Sequence, residues 1–151
     1  MTIIVVIFTD LLKNEAEKGK PILGICLGMQ MLFDKSYEYG EYDGLGLIPG
    51  SVKPIKPVIE EGLKVPHIGW NALTFQNDPS PIFADINNGD CVYFVHSYYL
   101  QAKDKEIVKA TTDYSARIHA SVEKDNVFAC QFHPEKSSTL GLQILKNFTQ
   151  I

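Results

Sequence analysis

ILGICLGMQ, residues 22–30, is the stretch on which the fold turns. An apolar run ends in a cysteine, Cys26, set between Gly24 and Gly28, and a helix-like segment begins directly after it. PILGIC (21–26) reads as a fully buried strand and LGMQMLFDK (27–35) as a helix. Strand, sharp turn and helix in that order predict an α/β fold. The layout G-x-C-x-G is that of a nucleophile elbow, where a tight turn lifts the reactive side chain above the sheet edge. The flanking glycines would relieve crowding at such a turn. A helix starting after Cys26 would aim its N-terminus at the sulfur and favour the thiolate, and the N–H of Leu27 could serve an oxyanion. A plain buried cysteine in a glycine-flanked strand explains the same residues, and this stretch alone leaves both readings open.

Outward from the elbow, MTIIVVIF at the N-terminus is rich in β-branched residues, and 3–8 read as a buried strand. The run is too short to span a bilayer and lacks the basic start and small-residue cleavage site of a signal peptide. Residues 10–18 read as a short polar helix closed by Gly19 and Pro21. Residues 36–66, rich in Gly, Pro and Tyr, predict loops and short strands. CVYFVHSYYL (91–100) predicts one strand, followed by strands in 107–114 and 117–123. KDN (124–126) marks a turn into VFACQF (127–132), which predicts a hairpin. The tail predicts a helix capped by its serines, with Leu142, Leu145 and Phe148 toward the sheet. No linker divides the chain, so 1–151 is expected to form one domain.

The chain has 151 residues and a net charge of −4, which gives no electrostatic footprint for nucleic acid. Three cysteines without C-x-x-C spacing argue against a disulfide framework or a zinc site and fit a reducing cytoplasm. Cys91 and Cys130 lie in apolar strands and read as packing residues.

A thiol nucleophile needs a base, and the base needs an orienting group. QFHPEKS (131–137) supplies both: Pro134 biases His133 toward an extended conformation, which puts Glu135 on the same side as the imidazole. Alone, His-Pro-Glu also suits a surface turn. His67, His96 and His119 lack a carboxylate two residues away and read as structural histidines.

GICLGMQ and QFHPEKS together resemble the triad of the class I glutamine amidotransferases. The likeness extends through GKPILGICLGMQMLF, GLGLIPG, KVPHIGWN, YFVHSYY, ATTDY and VEKDNVFACQFHPEKSSTLGLQILKNF. In these the chain is similar to the glutaminase subunits of imidazole glycerol phosphate synthase, from about Leu11 to the C-terminus. The resemblance implies a flavodoxin-like mixed sheet flanked by helices. It implies that Cys26 attacks the carboxamide of glutamine, that His133 shuttles protons and that Glu135 orients it. It places Gln30 and Leu27 at the substrate and the backbone of His96, Ser97 and Tyr98 at its amino-acid end. It implies no metal or cofactor. The ammonia would pass to a (β/α)8-barrel cyclase partner, with Trp70 of PHIGWN and Lys136 facing it. Relatives that feed a sugar amidotransferase, a fragment that only binds a partner, and an unrelated cysteine hydrolase are the competing readings.

The chain departs from the family upstream of Cys26. Family members carry a strand, a helix, a second strand and a P-G-x-G loop there; this sequence has no P-G-x-G before Cys26. The expectation is that N-terminal βα elements amounting to ~30–60 residues are missing. Such a loss would bare strand edges and remove an oxyanion donor, which costs about 10²–10³ in rate.

Overall fold

The computed structural model describes residues 2–76, 78 and 80–151. Helix α1 (Thr2–Glu17) leads into strand β1 (Ile22–Ile25), the short helix α2 (Leu27–Met31) and strands β2 (Phe33–Ser36), β3 (Tyr42–Asp43) and β4 (Ile48–Pro54). Then come β5 (His67–Ala72), β6 (Thr74–Phe75), β7 (Cys91–His96), β8 (Tyr98–Ala102), β9 (Val108–Asp113), β10 (Arg117–Lys124) and β11 (Val127–Cys130). A 3-10 turn at Pro134–Lys136 precedes helix α3 (Ser138–Phe148).

The strands form a five-stranded sheet in the order β1-β11-β10-β9-β6, a four-stranded sheet β3-β2-β4-β8 and the pair β5-β7. Among the described residues, only β1/β11 and β2/β4 run parallel; the other pairs are antiparallel. The hairpin expected around 124–126 is there as β10–β11, with Asp125 at φ 55 in its turn. β11 is buried at every position because its two faces belong to two cores. Val127 and Ala129 pack with Met29, Phe33, Ile48 and Leu100. Phe128 and Cys130 pack on the other side with Phe94, Phe132 and Ile144. In β10 a register break at Ser121 sends Ala120 to the second core and Val122 to the first, although the two are only two residues apart.

Several sequence expectations are corrected here. Residues 3–8 are helical, as part of α1, rather than a strand. A strand needs a neighbour to take its backbone groups, whereas a helix closes its own, and this outweighs β-branched propensity. β1 is half-buried rather than fully buried; among the described residues β11 is its only partner strand. The helix after Cys26 stops at Met31 and the chain becomes β2. The cause is competition for carbonyls: Met31 O is taken by Leu45 N–H at 2.8 Å, Leu32 O by Leu47 and Ile48 N–H at 2.9 Å each, and Phe33 O by Gly46 N–H at 3.1 Å. The expected strand 91–100 breaks at Ser97, because β7 pairs with β5 while β8 pairs with β4. On α3, Gly141 and Ile144 are buried and Leu140 and Phe148 pack against the second core, whereas Leu142 is 60% exposed. Cys91, at the first position of its strand, is exposed rather than packed; Cys130 is fully buried. No helix of the described residues is long and apolar enough to cross a membrane.

Candidate active site

The parallel pairing of β1 with β11 builds the site. Ile25 lies opposite Cys130, and the ladder runs one step further through a 2.8 Å bond from Cys26 N–H to Cys130 O. The chain then turns abruptly: Cys26 sits at φ 50, ψ −106, a left-handed conformation rare for a residue with a Cβ. Holding it there costs about 1–3 kcal/mol, which the surrounding structure must supply. This is the geometry of an elbow, a conformation that a plain buried strand does not call for. Gly24 is required there, since a Cβ would lie 2.9 Å from backbone atoms of Gly28 and 2.7 Å from Leu32 Cδ1. Gly28 has no such role; a Cβ on it would meet nothing within 4 Å.

The sulfur of Cys26 is held by three polar neighbours. Its thiol points at Val95 O, 3.9 Å away, the Gln131 amide donates to it at 3.8 Å, and the Leu27 N–H is directed at it. The last two favour the thiolate, but burial outweighs them, and the thiol titrates above its ordinary range; the Glu135 and Glu38 carboxylates add to the rise. The expected pull of the helix start toward the thiolate is present in the Leu27 N–H but is outweighed: α2 has five residues, and desolvation dominates. A half-buried thiol of this kind needs a base to take its proton.

The histidine expected as that base lies nearby. β11 ends at Cys130, level with Cys26, and three residues on His133 is fixed by a 2.9 Å bond from its N–H to Tyr93 O. His133 is extended (φ −102, ψ 96), as Pro134 requires, but Glu135 lies in the following 3-10 turn. The turn, rather than strand alternation, brings its carboxylate to His133 Nδ1 at 2.7 Å. A carboxylate only accepts, so Nδ1 carries the hydrogen and Nε2 is left for proton transfer. No hydrogen bond joins His133 to the Cys26 sulfur; such contacts commonly tighten only around substrate.

Ser137 braces this segment. Expected as a helix cap, it makes no capping bond. Its hydroxyl instead donates to His133 O at 2.7 Å and accepts from Tyr93 N–H at 3.0 Å. Gly141 lets α3 approach so closely that a Cβ there would stand 1.9 Å from Pro134 O.

A cleft of about 320 Å³ opens beside Cys26, lined by Leu27, Gln30, Glu38, Pro66, Val95, His96, Ser97 and Tyr98. Every substrate-side residue expected from the sequence is in this wall. Glu38, in the loop between β2 and β3, was missed, as were Gln131 and the Val95 carbonyl. A lone acid among tyrosines and glycines carries no sequence signal, and a backbone carbonyl carries none at all. His67 and His96 prove to be hydrogen-bonded to each other, at 2.9 Å. His119 is structural, accepting Ala102 N–H at 3.4 Å.

Trp70 is 52% exposed on β5, edge-on to Tyr93 across the strand pair. Ile68 on the same face is 57% exposed. Tyr93 O holds His133 N–H, so this aromatic surface adjoins the proposed base, and Lys136 is exposed beside it.

Residues 7–151 match the family model described as glutamine amidotransferase class-I. The chain is 52% identical over 140 residues to the imidazole glycerol phosphate synthase subunit HisH of Caldanaerobacter subterraneus, covering 93% of this chain and 66% of that protein. It is 49% identical over 144 residues to the subunit of the same name from Syntrophotalea carbinolica, covering 93% and 69%. The chain thus spans about two-thirds of the length of these relatives. Among solved structures, PurLQS from Thermotoga maritima superposes with a TM-score of 0.68 at 21% identity, over 94% of this chain and 66% of that one, which is a likeness of fold.

Proposed function

Because the chain belongs to the class-I glutamine amidotransferases, and within them to the HisH subunits of imidazole glycerol phosphate synthase, we propose that it hydrolyses glutamine to glutamate and ammonia with Cys26, His133 and Glu135. The observation that carries this reading is the pairing of β1 with β11. It sets a cysteine in a strained left-handed turn on one strand end, with a carboxylate-oriented histidine following the neighbouring strand.

His133 Nε2 takes the thiol proton as Cys26 Sγ attacks the carboxamide carbon. The tetrahedral intermediate collapses when that proton passes to the nitrogen, the C–N bond breaks and ammonia leaves. Water, deprotonated by the same imidazole, then cleaves the thioester and releases glutamate. Glu135 keeps the proton on Nδ1 throughout. Gln30, Leu27, His96, Ser97 and Tyr98 shape the cleft that receives the substrate, and Glu38 sets a negative charge within reach of its ammonium group.

The ammonia acceptor is a (β/α)8-barrel cyclase subunit docked on the face with Trp70, Ile68 and Lys136. An exposed tryptophan packed on a tyrosine is the kind of anchor that interfaces use, and delivery within a complex keeps ammonia from protonating in water. The chain works in the cytoplasm as a single amidotransferase domain without metal or cofactor.

The test is glutamate release from glutamine by the purified chain, with and without the barrel and its ribonucleotide substrate, against Cys26→Ala. Release that needs the barrel and disappears in the variant supports the proposal. Release no greater than the variant's under either condition refutes it.

A further inference from the structure

His67 is wholly buried and His96 is 5% exposed. Three short contacts string them together. His67 Nδ1 faces His96 Nε2 at 2.9 Å, His67 Nε2 faces Asn71 Oδ1 at 2.8 Å, and His96 Nδ1 faces Tyr98 O at 2.7 Å. The orientation of the Asn71 amide is set independently, because its Nδ2 donates to Asp113 O at 3.1 Å. Both ends of the string are therefore acceptors without a hydrogen to give.

The hydrogens can be counted. Three contacts need three, and two neutral imidazoles carry two between them. In a neutral pair one contact would set two lone pairs against each other in a buried place, which is costly. All three contacts are satisfied only when the pair holds one added proton.

The surroundings press on that proton from several sides. Phe94 stacks on His67 with ring centres 5.0 Å apart, and Tyr114, from the turn between β9 and β10, at 4.0 Å. Aromatic faces favour a cation. Against it stand burial, which lowers both rings and brings His96 to about 4, and the nearby imidazole of His133. From the cleft, Cys26 at the end of β1 and Glu38 near β2 face the same space as His96. The hydrogen count and the stacked rings favour a first proton, while burial and repulsion between the two rings oppose a second.

The string does not end at Tyr98. Its carbonyl also accepts from the Gln30 amide at 3.4 Å, Gln30 donates at 3.4 Å to Gln131 Oε1, and Gln131 donates to the Cys26 sulfur at 3.8 Å. An unbroken hydrogen-bonded path thus runs from Asn71, next to the exposed Trp70, to the nucleophile.

We propose that His67 and His96 are positioning residues that share a single proton, and that this proton ties the network around Cys26 to the outward-facing strand β5. The role in positioning rests on the glutaminase reading above; the shared proton does not.

The experiment follows the full chain, labelled with ¹⁵N-histidine, by long-range ¹H–¹⁵N spectra from pH 4 to 8. The nitrogens of His67 and His96 should move together in one step with one midpoint, separately from those of His119. Asn71→Asp, nearly isosteric, puts a carboxylate at the end of the string. It should raise the shared midpoint in both rings by about 1–2 pH units. With the barrel present, the pH profile of kcat/KM for glutamine should move upward by the same amount. A merely structural pair would lose stability in the variant without moving that profile. Separate midpoints for the two rings in the unaltered chain overturn the proposal, as does a variant that shifts His67 alone. A coupled titration in a chain with no glutaminase activity leaves the shared proton standing and refutes the reaction instead.

Discussion

Gly141→Ala probes how α3 holds the proposed base. The added Cβ would sit 1.9 Å from Pro134 O, 2.7 Å from Pro134 C and 2.8 Å from Ser137 Cβ. Two of the three are backbone atoms, so no side-chain rotation relieves the clash. Reaching ordinary contact requires a retreat of about 1.5 Å between helix and turn, and overpacking of this sort costs about 1–3 kcal/mol or more. Alanine returns about 0.5–1 kcal/mol through its better helix propensity. The net loss should be about 2 kcal/mol, or a fall of about 4–8 °C in Tm for a chain of this size. Pro134 lies between His133 and Glu135, so the same displacement moves the imidazole, and a shift of about 1 Å at a reacting group can cost ~10²-fold. Thermal melting and glutamate release with the barrel present measure the two effects. Gly28→Ala is the control: its Cβ meets nothing within 4 Å, and it should be neutral or slightly stabilising. A Gly141→Ala chain that melts and turns over like the original would refute the claim that close approach of α3 sets the His133 turn.

Ser137→Ala should cost about 1–3 kcal/mol in urea unfolding, because it leaves Tyr93 N–H without its partner and takes one of two donors from His133 O, which keeps the Lys136 N–H; no change in the midpoint would mean that water replaces the hydroxyl. Glu135→Gln keeps the shape but loses the charge that orients His133, and kcat should fall by about 10²–10⁴ with little change in KM; an unaltered kcat would remove Glu135 from the mechanism. Iodoacetamide labelling followed by mass spectrometry should modify Cys91 readily and Cys130 not at all, since the one is exposed and the other buried with its thiol well above the usual range. Cys26 should label faster as pH rises, through a midpoint above that of an ordinary thiol, because burial disfavours its thiolate; rapid labelling at pH 6 would contradict this.

The elbow, the His-Pro-Glu segment and the β10–β11 hairpin were legible because each is a local device. Glycines at a tight turn, a proline after a histidine and a turn tripeptide between apolar runs act through the backbone of neighbouring residues. The failures arose where local preference competes with distant partners. TIIVVIF favours a strand by composition but lies in α1, and LGMQMLFDK favours a helix but gives up its carbonyls to residues 45–48. The strand 91–100 has the right pattern throughout, yet no pattern says that its halves pair with different strands. Ser137 reads as a cap because serine usually is one; that its hydroxyl serves Tyr93 and His133 depends on a strand 44 residues away.

The sequence by itself pointed to the chemistry proposed here: which residues to put forward as nucleophile, base and orienter. These are matters of side-chain type and short spacing. Only the tertiary structure decided how they act. Register between β1 and β11 places the cysteine beside the histidine's strand, desolvation raises the thiol so that a base is needed, and Glu38 comes into the cleft from a loop without a motif. The two histidines that looked merely structural form the strand-to-nucleophile link, because a hydrogen bond between residues 29 apart depends on pairing and burial, which no run of neighbouring residues encodes.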